Sequence, residues 1–218
     1  RCVRICGLQG NTAGRLRCQR RENVPVENNS KIVSQYARQA RKEQFKGLFA
    51  VVSDPVDPLA KAAYLASNTD ENGNFDQKGL RPEQIQGFGL GVMNARAAYY
   101  AKRDERFKQF LTEGRSFGPH GQDLVVADSI ENYNDELSKE LTNLTVTANL
   151  HMRAIGYKPF VAPAYSSGAI SLILTLRGEW HCGSVFLEES LWGLRIDIQP
   201  TDWRRKSCLC RMPCMKEL

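Results

Sequence analysis

Three short stretches hold residue types that could do chemistry. Gly118-Pro119-His120-Gly121-Gln122-Asp123 sets a histidine in a glycine-flanked turn, where the backbone is free to present an imidazole to a ligand. Histidine is the natural proton carrier near neutral pH. The remaining histidines, His151 and His181, fall in an expected helix and beside Trp180 in an expected strand, where structural roles are the bland reading. Ser53-Asp54-Pro55-Val56-Asp57 follows a wholly apolar run. A polar turn in that place lies at the carboxyl edge of a sheet, where open α/β folds bind ligands. A helix N-cap explains either carboxylate equally well. Arg96 is expected in the first turn of a helix, where an unpaired cation opposes the helix dipole. Its partner is then a ligand carboxylate or a neighbouring Asp or Glu.

The elements that must position these residues can be read from periodicity. Ile32, Val33, Tyr36 and Ala40 recur at helical spacing and predict a helix over 30–43 with Ser30 as N-cap. The apolar run over 48–52 has the pattern of a strand buried on both faces of a parallel sheet. A helix over 58–67 and a polar, asparagine-rich loop over 68–79 follow. Next come a strand over 85–92 and a long amphipathic helix over 94–108. A strand pair over 110–117 and 124–129 flanks the His120 turn. Helices over 135–155 and 163–177 and a last strand over 180–187 complete the body.

Charge divides the chain differently. The net charge is +6, yet residues 1–27 hold six Arg against two Glu, and 195–218 hold six Lys or Arg against three acids, so the body is nearly neutral. Cysteine follows the same division, with Cys2, Cys6, Cys18, Cys208, Cys210 and Cys214 at the ends and Cys182 alone in the body. The Cys-x-Cys and Cys-x₃-Cys spacings fit no common zinc knuckle and no histidine lies in either end, so no metal is expected and unpaired thiols are the simpler reading. No apolar run approaches the roughly 18 residues of a membrane helix, and no signal-peptide core is visible. A cytoplasmic protein without a membrane partner is the expectation. The stretch Gly7–Gly14 resembles a phosphate loop superficially, but no apolar strand precedes it and no lysine follows in place.

From Ile32 to Leu187 the chain resembles the lactate/malate dehydrogenase superfamily, in particular a divergent bacterial branch. In that family an Asn-Pro-Val-Asp turn follows a strand of the nucleotide domain. A Leu-Asp-x-x-Arg segment opens the catalytic domain, and Gly-Glu-His-Gly-Asp carries the catalytic histidine. Here these correspond to Asp54-Pro55-Val56-Asp57, Val92-Met93-Asn94-Ala95-Arg96 and Gly118-Pro119-His120-Gly121-Gln122, in the same order and spacing. The resemblance implies an α/β chain: the C-terminal half of a Rossmann-type parallel sheet, then an α+β catalytic domain. It implies NAD as cofactor, held in part by Val52 and Ser53, and a small 2-oxo or 2-hydroxy acid as substrate. His120 would be the proton donor, with Asn94 orienting it. Arg96 would grip the substrate carboxylate as a bidentate fork. Asp54 would hydrogen-bond near the substrate carbonyl, and Ser166 of Tyr165-Ser166-Ser167 would line the pocket. The family commonly forms homo-oligomers.

The departures are specific. The family aspartate that supports the histidine aligns with Met93, next to Asn94, and an amide brings no charge to the imidazole. Asp54 stands where the family has asparagine, and Pro119 and Gln122 replace acidic positions. The ends depart altogether. Codons can be chosen for Glu188-Glu189-Ser190-Leu191-Trp192 that, read one base earlier, encode the expected continuation Gly-Gly-Val-Phe-Met-Gly. Codons can likewise be chosen for Arg20 to Val26 that, read one base later, encode an Asp-Val-Arg-Met segment. The expected organisation is therefore an irregular basic segment over 1–27, a dinucleotide-domain remnant over 28–92, a catalytic domain over 93–187 and an irregular tail over 188–218. The ends would be out of frame and the chain N-terminally truncated. Without the Gly-x-Gly-x-x-Gly turn, the chain alone is expected to be inactive or nearly so. The alternative is a non-catalytic remnant, or a binding module whose basic tails contact nucleic acid or acidic partners.

Overall fold

The computed structural model describes residues 3–5, 23–121, 123–156, 162–187, 190–198 and 205–207. Gly7–Gly14, the six terminal cysteines and Gln122 lie outside the described residues.

The apolar run over 48–52 forms an internal strand of the main sheet. Its strand β2 (Phe49–Val51) is buried throughout. It pairs in parallel with β1 (Val3–Ile5) on one side and β3 (Ile85–Gly87) on the other. Alternate side chains enter opposite layers, as strand geometry requires. Phe49 and Val51 join Val33, Ala37 and Ala40 of helix α1 (Asn23–Lys42) and Leu59, Ala60 and Ala63 of α2 (Val56–Ser67). Leu48 and Ala50 face the other way, against Phe88 and Leu172 of α5 (Ala162–Arg177). Both faces of the parallel strands are covered, which explains why they read as unbroken apolar runs.

The second core belongs to α3 (Leu90–Ala101), whose Leu90, Met93, Ala97 and Ala101 pack at helical spacing against Phe107, Phe110, Leu124, Val126 and Leu141. Leu141 lies on α4 (Asp135–Ala154), which Asn134 caps by accepting from the Leu137 N–H. Strands β4 (Arg115–Phe117) and β5 (Val125–Ala127) form the antiparallel pair expected around the His120 turn.

Several expectations change. The strand expected over 85–92 ends at Gly87, because the apolar residues from Leu90 onward serve the helical stripe of α3. That helix begins four residues before 94 and ends at Ala101. Asp104 then accepts from the Arg106 N–H and opens a 3₁₀ segment, Glu105–Leu111. Helix α1 begins at Asn23, so Ser30 is internal rather than its N-cap. Pro25 is tolerated because N–H groups of a first helical turn have no intrahelical partner.

The ends are not irregular throughout. Besides β1, strands β6 (His181–Leu187), β7 (Ser190–Ile198) and β8 (Arg205–Ser207) extend the main sheet in the order β1-β2-β3-β6-β7-β8. β6 meets β3 antiparallel at Ser184 and Gly87. β6 and β7 form a hairpin with Leu187 opposite Ser190, and of their pairings only the meeting of β6 with β3 joins segments far apart in sequence, which local periodicity does not report. Between α2 and β3, buried Asn68 donates to the carbonyls of Tyr64 and Leu80 and accepts from the Gly79 N–H, gathering the 68–79 loop. Arg41 of α1 locks the loop with two hydrogen bonds to Asp76, at 2.7 and 2.6 Å.

Candidate functional site

The site assembles where β2 and β3 end. Val52 and Ser53 leave β2 half-buried and lead into Asp54, whose peptide bond to Pro55 is cis. Asn29 of α1 holds this turn by donating from Nδ2 to the Asp54 carbonyl at 2.9 Å, while its own buried Oδ1 has no hydrogen-bond partner among the described residues. Asp57 lies in the first turn of α2 but makes no cap there. Its Oδ2 instead accepts from the backbone N–H of His120 at 3.1 Å, tying the histidine turn to the helix.

His120 is thereby fixed by groups far away in sequence. Gly118 opens its turn with φ of +88°, a conformation that favours glycine, and donates its N–H to the Gly193 carbonyl of β7 at 3.1 Å. The ring Nδ1 lies 2.9 Å from the Gly89 carbonyl oxygen. A carbonyl only accepts, so Nδ1 carries the hydrogen and the neutral ring presents its lone pair at Nε2. Nε2 faces Asp54, with Oδ1 at 3.8 Å. The imidazole is mostly enclosed, at 19% exposure, whereas the Asp54 side chain is 78% exposed. Gly89 must be glycine for this packing: a Cβ there would stand 2.9 Å from His120 Cβ and 3.0 Å from Val56 Cγ2.

Arg96 is half-buried on α3, with Nη1 at 3.5 Å from Met93 Sδ. Burial pushes its guanidinium below the ordinary value, and the charges of Asp54 and Tyr100 oppose that shift. An arginine nevertheless stays charged. It is the seventh residue of α3 rather than a first-turn residue, so the dipole argument for an anionic partner does not apply. Partial burial without a carboxylate hydrogen bond among its described contacts makes that argument instead.

The structure thus brings His120, Asp54 and Asp57 together where β2 ends, and the Asp54 charge acts on Arg96 of α3. Asn94 does not orient the histidine as expected. Its Oδ1 lies 3.3 Å from Ser116 Oγ on β4, and the ring nitrogen it was expected to hold goes to Gly89. The early start of α3 puts the Gly89 carbonyl, rather than an α3 side chain, under the ring. Ser166 stands exposed on α5, which reaches α3 through Gly168 beside Val92. His151 is exposed in the last turn of α4. His181 is buried against Thr175 and Gln86 and stacks on Phe88, in the structural role expected of it.

Sequence reasoning missed the Gly89 carbonyl, the Asn29 anchor and the role of Asp57. The alternating glycines of Gly87-Phe88-Gly89-Leu90-Gly91 were the one available signal for a close approach. A cleft of about 730 Å³ lies elsewhere, lined by Arg38, Arg41, Lys42 and the loop from Thr69 to Gly73. Arg41 is twelve residues along α1 from Asn29, roughly 18 Å at 1.5 Å per residue. Size alone therefore does not identify the site here, and the convergence of titratable groups does. Among the described residues, no group of three or more His, Cys, Asp or Glu could hold a metal ion. No helix among them is long and apolar enough to cross a membrane.

No family model matches the chain, and no curated protein matches it in sequence. Solved structures do match its shape. Malate dehydrogenase from Picrophilus torridus in its apo form superposes with a TM-score of 0.60 at 19% identity, over 86% of this chain and 62% of that one. The Archaeoglobus fulgidus enzyme, in complex with NADH, gives 0.59 at 15% identity over 85% and 62%. The Aeropyrum pernix enzyme gives 0.59 at 18% identity over 79% and 60%. The chain spans about three fifths of the length of each. Its parallel strands, the added antiparallel strands and the helical unit carrying His120 have the fold of the malate dehydrogenases.

Proposed function

We propose that this chain carries the substrate end of an NAD-dependent dehydrogenase interconverting a 2-hydroxy acid and a 2-oxo acid. One observation carries the reading: His120, its Nδ1 committed to Gly89, turns Nε2 toward Asp54, whose charge also acts on the partly buried Arg96 guanidinium. A proton carrier and a cation that both feel one carboxylate suit a small acid whose reacting oxygen is adjacent to its carboxylate.

The residues at the strand ends fit the nicotinamide portion of the cofactor. A carboxamide donates hydrogen bonds, and the buried Asn29 Oδ1 beside the Asp54 turn is an acceptor without a partner among the described residues. Val52 and Ser53, at the end of β2, would flank it. When bound, the nicotinamide supplies or receives the hydride. The chain's own residues do the rest. Arg96 grips the carboxylate through two N–H groups, which fixes the substrate's rotation as well as its position. His120 Nε2 takes the hydroxyl proton during oxidation, or returns it during reduction. Asp57 keeps the histidine turn in place through both directions. Ser166, at the start of α5, would contribute to the pocket wall, and association of identical chains belongs to the same reading.

Nicotinamide absorbance, followed with the full-length protein and with lactate, malate, pyruvate or oxaloacetate, tests the assignment. His120→Ala should lower turnover by about 10²–10⁴-fold, the usual contribution of a positioned acid–base group. Turnover unaffected by that substitution would remove His120 from the chemistry.

A further inference from the structure

The two groups that border the reacting position both accept hydrogen bonds. Because Nδ1 is spent on the Gly89 carbonyl, the neutral His120 ring offers only a lone pair at Nε2. Across from it, Asp54 Oδ1 belongs to a carboxylate, which also only accepts. Their separation of 3.8 Å is too long for a direct hydrogen bond. The open side chain of Asp54 leaves room for a ligand atom to engage both.

We propose that this end of the site recognises its ligand as the alcohol, binding a 2-hydroxy acid in preference to the 2-oxo acid of the same skeleton. The inference rests on the functional reading above and names the form of ligand that the site selects. A hydroxyl has a hydrogen to give to Nε2 or to the carboxylate. A keto oxygen has none, and would meet two acceptors. Protonating the ring does not reverse the preference. The new Nε2–H would point at a carboxylate already 3.8 Å away, a stronger acceptor than a ketone. Arg96 addresses the carboxylate that both forms share, so it does not discriminate between them.

Asp54→Asn replaces one carboxylate oxygen with an N–H₂ donor at nearly constant shape. Its side chain is largely exposed, so the fold should be retained. The chain has three histidines, so ring C–H resonances of His120, His151 and His181 can be followed individually by NMR. Unchanged His151 and His181 signals in the variant report an intact fold. The His120 signal is then titrated at neutral pH with lactate, pyruvate, malate, oxaloacetate and alanine, using the full chain without cofactor.

The hydroxy acid should bind about tenfold or more tightly than its oxo partner, the worth of one hydrogen bond. That ratio should fall to about one or invert in Asp54→Asn. An oxo acid preferred by the unmodified chain, or a ratio that Asp54→Asn leaves unchanged, overturns the inference while leaving the functional reading standing. Tighter binding of alanine than of lactate also overturns it, since the site would then select an ammonium group. If none of the acids moves the His120 signal, the functional reading falls with the inference.

Discussion

At the scale of single residues, the site departs from its expected wiring in one consistent way: a carboxylate faces Nε2 of His120, and a neutral backbone carbonyl holds Nδ1. Met93 occupies the place where a supporting carboxylate was expected, and a backbone carbonyl takes over the orienting task. Asp54 brings the carboxylate to the other ring nitrogen. Arg96 is the counterweight, a partly buried cation without a carboxylate hydrogen bond among its described contacts. Arg96→Lys keeps the charge and loses the fork. Losing one charge-assisted hydrogen bond of roughly 1.5–3 kcal/mol should raise KM about 10–100-fold, with a smaller effect on kcat. Steady-state kinetics on both parameters decide this. An unchanged KM would mean that the guanidinium is not the carboxylate grip.

At the scale of elements, two contacts between segments invite tests. The approach of the β3–α3 junction to the histidine turn depends on the absence of a side chain at Gly89. Gly89→Ala should displace the imidazole and cost about 1–3 kcal/mol, the usual penalty for overpacking. Urea unfolding gives the cost, and the His120 NMR signal gives the displacement. A variant of unaltered stability with an unmoved ring would contradict the close packing. The second contact is the clamp of Arg41 on Asp76, which ties the 68–79 loop to α1. Its hydrogen bonds hold the Asp76 carboxyl down to about 2, below the ordinary aspartate value. A carboxyl depressed in the folded state contributes stability above its unfolded value, about 3.9, and loses it as pH falls toward 2. Asp76→Asn should therefore be less stable than the parent at neutral pH, and the two should converge between about pH 4 and pH 2. Thermal melts across that window check the sign; a difference independent of pH would exclude the ion pair as its source.

At the scale of the whole molecule, the two larger of three buried clusters are joined through the added antiparallel strands. One surrounds Phe49 between the sheet, α1 and α2; the other surrounds Phe107 beneath α3 and α4. β6 pairs with β3 at the first core, and β7 meets the histidine turn through Gly193 at the second. Phe49→Ala and Phe107→Ala, both at essentially fully buried positions, should each cost about 3–5 kcal/mol. Because the strands couple the cores, each variant should still unfold in one transition. Coincident circular dichroism and tryptophan fluorescence curves are the measure. Separate transitions would show that the cores unfold independently.

Much of the element order was legible in the sequence, because it depends on local pattern. The apolar run at 48–52, the helical stripe of α1 and the glycine-flanked turn at His120 each carry their signal within a few residues. The neighbourhood of Asp54 and His120 was legible too, through motif order rather than geometry. What only the tertiary structure decided was the wiring among them. The partner of the His120 ring is the backbone carbonyl of Gly89, a group every residue possesses, so residue identity alone could not announce it. Asn94 was the plausible side-chain candidate and turned instead to Ser116, because α3 begins earlier than the apolar pattern suggested. The strand of β6 was legible, but its pairing with β3 was hidden for the same reason. Strand partners are chosen by closure of distant chain segments, and a hydrogen-bonded backbone carries no mark of which segment will meet it.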